Sequence, residues 1–162
     1  MTTHAPRIGI GYDSHTFGAR RPLLLAGVEV PHSSGLTGHS DGDAVAHAVT
    51  DAILGAAALG DIGELFPDTD PQWRGADSMA MLATASHRVR QAGYAVGNVD
   101  ITVITQQPKI APHVPAMQER LAAVLGLSPP AVSVKGKTNE GMDAVGRGEG
   151  LQVIAVALLL PG

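Results

Sequence analysis

The chain has 162 residues, a mass of 16.6 kDa and a formal net charge of −4, which suits one domain, since domains run about 100–200 residues. Aromatic residues are 3% and acidic residues outnumber basic ones, which argues against the basic footprint and stacking platforms of a nucleic-acid binder. The absence of cysteine excludes disulfides, thiolate metal sites, iron–sulfur clusters and thiol nucleophiles.

No apolar run reaches the ~18 residues of a membrane span, and the first seven residues lack the apolar heart of a signal peptide. The expectation is a cytoplasmic single domain over residues 1–162, with Met1–Pro6 a loose tail. Arg7–Tyr12 reads as a short strand. Leu23–Ala26 and Val28–Val30 read as two more, turning at Gly27. Val45, Val49, Ala52, Ile53 and Ala56 recur at helical spacing after Asp41-Gly-Asp43, so a helix starts there and runs to about Leu59. Residues 60–75 carry Gly, Pro and Asp without periodicity and read as a long loop, a kind of segment that often carries function. Asp77 or Ser78 caps a second helix ending at Gly93. A strand follows over Ala95–Thr105, then a third helix within Pro108–Leu125, and last strands at Val132–Lys135 and Leu151–Leu160. This order predicts an α+β (α/β) sandwich, a mixed β-sheet with helices packed on one face.

Five groups of residues are candidates to carry chemistry. Asp13 and His15 stand at i and i+2, so on an extended chain they point to one face. Asp43, His47 and Asp51 fall at i, i+4 and i+8 on the first helix. They form either an exposed, Asp-capped face or a stripe in which His47 is a ligand whose second nitrogen an adjacent Asp orients. Taken together, Asp13, His15 and His47 offer one oxygen and two nitrogens, a donor set that suits zinc with a position left open. The Asp residues of the long loop, Asp61, Asp68 and Asp70, could accept sugar hydroxyls or hold a hard cation, or simply form Asx turns. Lys135–Glu140 and Gly146–Gly150 could each approach a phosphate, Arg147 bidentately, although no Walker A pattern is present.

Gly11-Tyr-Asp-Ser-His15, His39-Ser-Asp-Gly-Asp-Ala-Val-Ala-His47, Gly55–Gly63, Phe66-Pro-Asp-Thr-Asp70 and Gly146-Arg-Gly-Glu-Gly150 together resemble the 2-C-methyl-D-erythritol 2,4-cyclodiphosphate synthases, from Arg7 to about Leu159. The resemblance implies a homotrimer with sites between subunits. It implies cyclisation of 4-diphosphocytidyl-2-C-methyl-D-erythritol 2-phosphate with release of CMP, a step of non-mevalonate isoprenoid biosynthesis. By position it makes Asp13, His15 and His47 zinc ligands, and His39 and Thr138 catalytic. It gives Glu140 a second metal, Mg²⁺ or Mn²⁺. Ser40, Asp61, Ile62 and Gly63, with Phe66, Pro67, Asp68, Thr69 and Asp70, would take the sugar end of the substrate. Thr105, Gln106, Gln107, Pro108, Lys109, Ile110 and Ala111 would line a cytidine pocket with Gly136, Lys137 and Asn139, while Arg147 would lie near the trimer axis. Lys137 and Asn139 flank Thr138 where the family usually has Thr, and Ala144 stands where many members have Phe.

Two other classes share these residues: a metal-binding structural trimer, and a metal-dependent phosphohydrolase that would release inorganic phosphate.

Overall fold

Gly9 and Gly11 set the architecture. They lie on the first strand, β1 (Arg7–Ala19), beneath the first helix, α1 (Ala44–Ala57). A Cβ at Gly9 would sit 2.1 Å from the Ala52 carbonyl oxygen, and one at Gly11 1.8 Å from that of Ala48. The helix therefore rests backbone on backbone against the strand, and its Ala-rich composition allows that approach.

The structure, a computed structural model, describes residues 5–162. The expected tail falls mostly on residues 1–4, outside the described residues; Ala5 and Pro6 are exposed and without secondary structure. After β1 come the hairpin β2 (Leu23–Leu25) and β3 (Val28–Val30), then the short β4 (Gly35–Leu36), α1, the one-turn α2 (Ile62–Leu65) and α3 (Ser78–Gln91). There follow β5 (Tyr94–Ile104), α4 (Val114–Leu125), β6 (Val132–Lys137), the one-turn α5 (Asp143–Gly146) and β7 (Gly150–Pro161). The main sheet runs β4-β1-β7-β5-β6. The pairs β1–β7 and β7–β5 are antiparallel and β5–β6 is parallel, so the sheet is mixed as expected.

α1 covers β1 and β7, α3 packs on α1, and α4 packs on α3 and β6. The core lies between this helical layer and one sheet face, with Ile53, Leu82, Ile101, Met117, Leu121, Val153 and Leu159 fully buried. The opposite face carries Ile8, Ile10 and Tyr12 at 76, 69 and 54% exposure, opposite Leu158, Val156 and Ile154 of β7. That is a contiguous apolar stripe open to solvent, a feature that marks interaction surfaces.

Local chemistry explains the boundaries. Ala26 and Gly27 both take positive φ, the requirement of a two-residue hairpin turn. Asp43 caps α1, its carboxylate accepting from the Ala46 N–H at 3.0 Å. Of the two residues expected to cap the next helix, Asp77 does so, accepting from Met79 and Ala80, while Ser78 opens α3. Gly126 ends α4 in the left-handed conformation.

Three expectations need correction. β1 continues to Ala19, past Tyr12, so Asp13 and His15 lie within the strand and not at its end; pairing with β7 through Thr16↔Gly150 carries it on. Residues 60–75 are not an unstructured loop: Asp61 caps α2 through the Glu64 N–H, and Asp70 caps a 3₁₀ turn at Pro71–Trp73 through the Gln72 N–H. β6 runs on through Gly136 and Lys137, which pair with Val103 and Ile104.

Candidate metal centre and cleft

Alternation along β1 puts Gly9, Gly11, Asp13 and His15 on the helix-facing side. Because the glycines let α1 settle close, His47, next to Ala48 on α1, reaches the strand. The three side chains converge. His15 Nε2 lies 2.8 Å and His47 Nδ1 3.1 Å from Asp13 Oδ2, and the two nitrogens are 3.3 Å apart. One ligand atom from each of the three falls within 4.8 Å of the other two. Two imidazole nitrogens and one carboxylate oxygen at this spacing fit a tetrahedral ion with its fourth position open.

Each ring is held by its other nitrogen. His15 Nδ1 is 2.5 Å from the Thr37 carbonyl. His47 Nε2 lies 2.8 Å from Ser78 Oγ and 3.0 Å from Ser40 Oγ, and Ser78 donates its hydroxyl proton to Asp41 Oδ1 at 2.5 Å. Asp41 also accepts from the Ser78 N–H. Such outer contacts fix the tautomer and aim the free nitrogen. The expectation that an adjacent Asp orients His47 is corrected here. Asp43 is fully buried and turned away, its carboxylate taken by the N–H groups of Ala26, Gly27 and Ala46 at 2.8, 2.6 and 3.0 Å. Asp51 accepts from the Ile62 N–H. Two serines do the orienting, with Asp41 behind them.

The electrostatics follow from this packing. Burial pushes the Asp13 carboxyl up, but the bonds from His15 and His47 outweigh it and hold it below the ordinary range. Burial pulls His15 down, and the Asp13 carboxylate more than reverses that. Burial, with the nearby charges of Asp61 and Asp13, raises Asp51 against the opposing Ile62 N–H bond. Burial likewise raises Asp43.

The cluster forms one end of a cleft of about 530 Å³. His39 and Ser40 line it beside the three ligands. Ile62, Gly63, Phe66, Pro67, Asp68 and Thr69 form the facing wall. His39 Nε2 is buried and has no hydrogen-bond partner among the described residues. Asp61 and Asp70 shape the wall as caps and do not line it. Trp73 and Met81 do line it, and the sequence reading missed both; Trp73 packs edge-on to Phe66 at 4.9 Å between ring centroids. The signal available was Trp73, the single Trp of the chain, beside the Asp-rich motif.

A second cleft of about 170 Å³ lies elsewhere. It is lined by Thr105, Gln106, Pro108, Lys109, Ile110 and Ala111, with Gly136, Lys137 and Thr138, and shares no residue with the first. The Thr138 hydroxyl donates to Glu140 Oε1 at 3.2 Å, and the Gly141 N–H donates to Gln106 Oε1 at 3.4 Å. Gln107 carbonyl accepts from the Thr105 hydroxyl, and Asn139 donates to the Met142 carbonyl. Glu140 is exposed and takes a positive φ of 52°. Within one chain, then, Glu140 and Thr138 do not join the Asp13 cluster. Arg147 lines neither cleft and pairs with Glu149 at 2.6 Å on the surface.

An α+β sandwich with an Asp-His-His cluster at a strand–helix crossing, beside a cleft of about 530 Å³, carries a donor set consistent with a divalent metal. The chain belongs to the YgbB family, whose sequence model matches residues 6–160. A curated relative from Gemmatimonas aurantiaca, named 2-C-methyl-D-erythritol 2,4-cyclodiphosphate synthase, is 62% identical over 154 residues, 95% of this chain and 93% of its own. A solved 2C-methyl-D-erythritol-2,4-cyclodiphosphate synthase in a CDP-bound form matches with a TM-score of 0.86 and 42% identity, covering 94% of this chain and 99% of that one. The bifunctional IspDF of Campylobacter jejuni matches with a TM-score of 0.94 and 46% identity over 98% of this chain, which spans 43% of that longer protein. No helix among the described residues is long and apolar enough to cross a membrane.

Proposed function

We propose that this protein is a cyclising lyase that converts 4-diphosphocytidyl-2-C-methyl-D-erythritol 2-phosphate to 2-C-methyl-D-erythritol 2,4-cyclodiphosphate and CMP, within non-mevalonate isoprenoid biosynthesis. The observation that carries this reading is the convergence of Asp13, His15 and His47 at the head of the cleft, in a chain whose curated relatives bear that enzyme's name. An oxygen of the 2-phosphate forms a bond to the β-phosphorus, the bond from that phosphorus to the bridging oxygen breaks, and the bridging oxygen leaves with CMP. A divalent ion supplies Lewis-acid neutralisation of the phosphate charge in such a reaction.

Asp13, His15 and His47 would hold zinc, which their nitrogen-rich donor set suits. Glu140 would hold Mg²⁺ or Mn²⁺ through oxygen. The His39 imidazole, on the cleft wall, and the Thr138 hydroxyl would donate to phosphoryl oxygens as charge develops. Phe66–Thr69, with Trp73 and Met81, would enclose the methylerythritol and fold the substrate so that its two phosphate ends meet. Such positioning is worth up to about 7–11 kcal/mol of barrier. The second cleft would take the cytidine; a solved relative is described in a CDP-bound form.

The two clefts are separate in one chain, and the stripe of Ile8, Ile10, Tyr12, Ile154 and Val156 is uncovered. Both observations support a homotrimer in which one subunit's second cleft completes its neighbour's first. Arg147 would then face the axis. A cytoplasmic location goes with this biosynthetic role. The test is ³¹P NMR of the protein with the nucleotide substrate, zinc and Mg²⁺, beside Asp13→Ala. The reading expects CMP and a cyclic diphosphate from the unmutated protein alone; free inorganic phosphate, or intact substrate, would overturn it.

A further inference from the structure

Arg21 lines neither cleft, yet its side chain grips the segment that holds both ligand histidines. Nε and Nη2 donate to the Leu36 carbonyl at 2.9 and 2.5 Å, and Nη1 donates to the Ser40 carbonyl at 2.6 Å. These two carbonyls bracket Thr37–His39. Within and at the end of that bracket sit the Thr37 carbonyl against His15 Nδ1, His39 on the cleft wall, and Ser40 Oγ against His47 Nε2. One planar fork thus spans the two ends of the segment that contacts the outer nitrogens of both rings. The surroundings are shaped to it. A Cβ at Gly42 would come within 2.6 Å of Arg21 Nη2, and one at Gly35 within 2.9 Å of its Cγ. Among the described residues no carboxylate lies in ion-pair range of Arg21, so its donors are committed to these backbone carbonyls.

We propose that Arg21 is a positioning residue for the metal centre, setting the orientation of His15 and His47 through the 36–40 segment. The inference rests on reading Asp13, His15 and His47 as metal ligands. An ammonium has no fork and cannot bridge the two carbonyls in one plane, so Arg21→Lys keeps charge and stem while losing the clamp.

The test uses the full chain, stripped of metal, as unmutated protein, Arg21→Lys, Arg21→Met and Asp13→Ala. Zinc affinity is measured by chelator competition, ligand geometry by the visible absorption of the Co²⁺ form, and folding by circular dichroism. The expected result is a folded Arg21→Lys with zinc affinity reduced about 10-fold or more, the usual scale for outer-shell partners, with an altered Co²⁺ spectrum and a loss at least as large in Arg21→Met. Zinc affinity and a Co²⁺ spectrum matching the unmutated protein would overturn the proposal. So would loss of fold in both variants, which would make Arg21 a stability residue. Unmutated protein that binds zinc no better than Asp13→Ala would instead overturn the metal reading itself.

Discussion

Ser78 Oγ lies 2.8 Å from His47 Nε2, on the side of the ring away from Asp13. The serine is fully buried and passes its own proton to Asp41. With Ser40, a hydroxyl at the start of α3 therefore aims a histidine of α1 at a carboxylate of β1. Ser78→Ala is expected to keep the fold, because the Ser78 N–H bond to Asp41 remains, while zinc affinity falls about 10–100-fold. Chelator competition checks this, and an unchanged affinity would leave Ser40 as the sole orienting group.

Gly11→Ala tests the strand–helix contact. The new methyl would meet the Ala48 carbonyl at 1.8 Å, and backbone cannot swing aside as a side chain can. The expected cost is about 3 kcal/mol, the upper part of the overpacking range, or a Tm lower by about 6–12 °C at this chain length. Because α1 must lift from β1, zinc binding should weaken as well. A variant that melts with the unmutated protein would refute the close approach.

Asp51 gives a pH prediction. Its raised folded-state pKa, caused first by burial and then by Asp61 and Asp13, means that the native state holds this proton more tightly than the unfolded chain. The ionised form is therefore penalised above the folded pKa, and the penalty fades as pH falls toward the unfolded value of 3.8. In metal-free protein, Asp51→Asn should raise Tm near pH 7 by no more than a few degrees, since a group half in solvent carries less than about 1 kcal/mol. Near pH 4 the difference should close. A gap that widens on acidification would reverse the sign.

Ile10→Asp addresses the open sheet face. The side chain points away from α1 and is 69% exposed, so the fold and zinc affinity of one subunit should survive. On the proposed homotrimer, light scattering should show monomers in place of trimers, and CMP release should drop at least 100-fold. Full activity from a monomeric variant would show that one chain suffices.

Much of the site was legible because it is written in contiguous motifs: Asp13 and His15 two apart, and His47 at helical spacing behind a capping Asp43. The helices α1 and α3 were legible from their apolar periods, and α4 from the span between the turn at Pro108 and the stop at Gly126. The one-turn α2 and α5 were not, since four residues carry no period. β1 was read too short because its inner face is Gly, Gly, Asp and His while its apolar residues, Ile8, Ile10 and Tyr12, point outward. Apolar alternation alone does not tell which face of a strand meets the core. The roles of Ser78 and Arg21 depend on contacts 31 and 15–19 residues away, which local pattern does not encode.

Gly9 and Gly11 bring the main chain of α1 into hard contact with β1, and this governs how the protein can vary. The separation of His47 from Asp13 is fixed by atoms every residue shares, with no side chain between to swell or shrink. Volume changes deeper in the core, at Leu82 or Met117, would be taken up where α3 rides on α1 and α4 on α3, away from β1. The outer helical layer can thus drift in composition while the ligand spacing keeps its calibration.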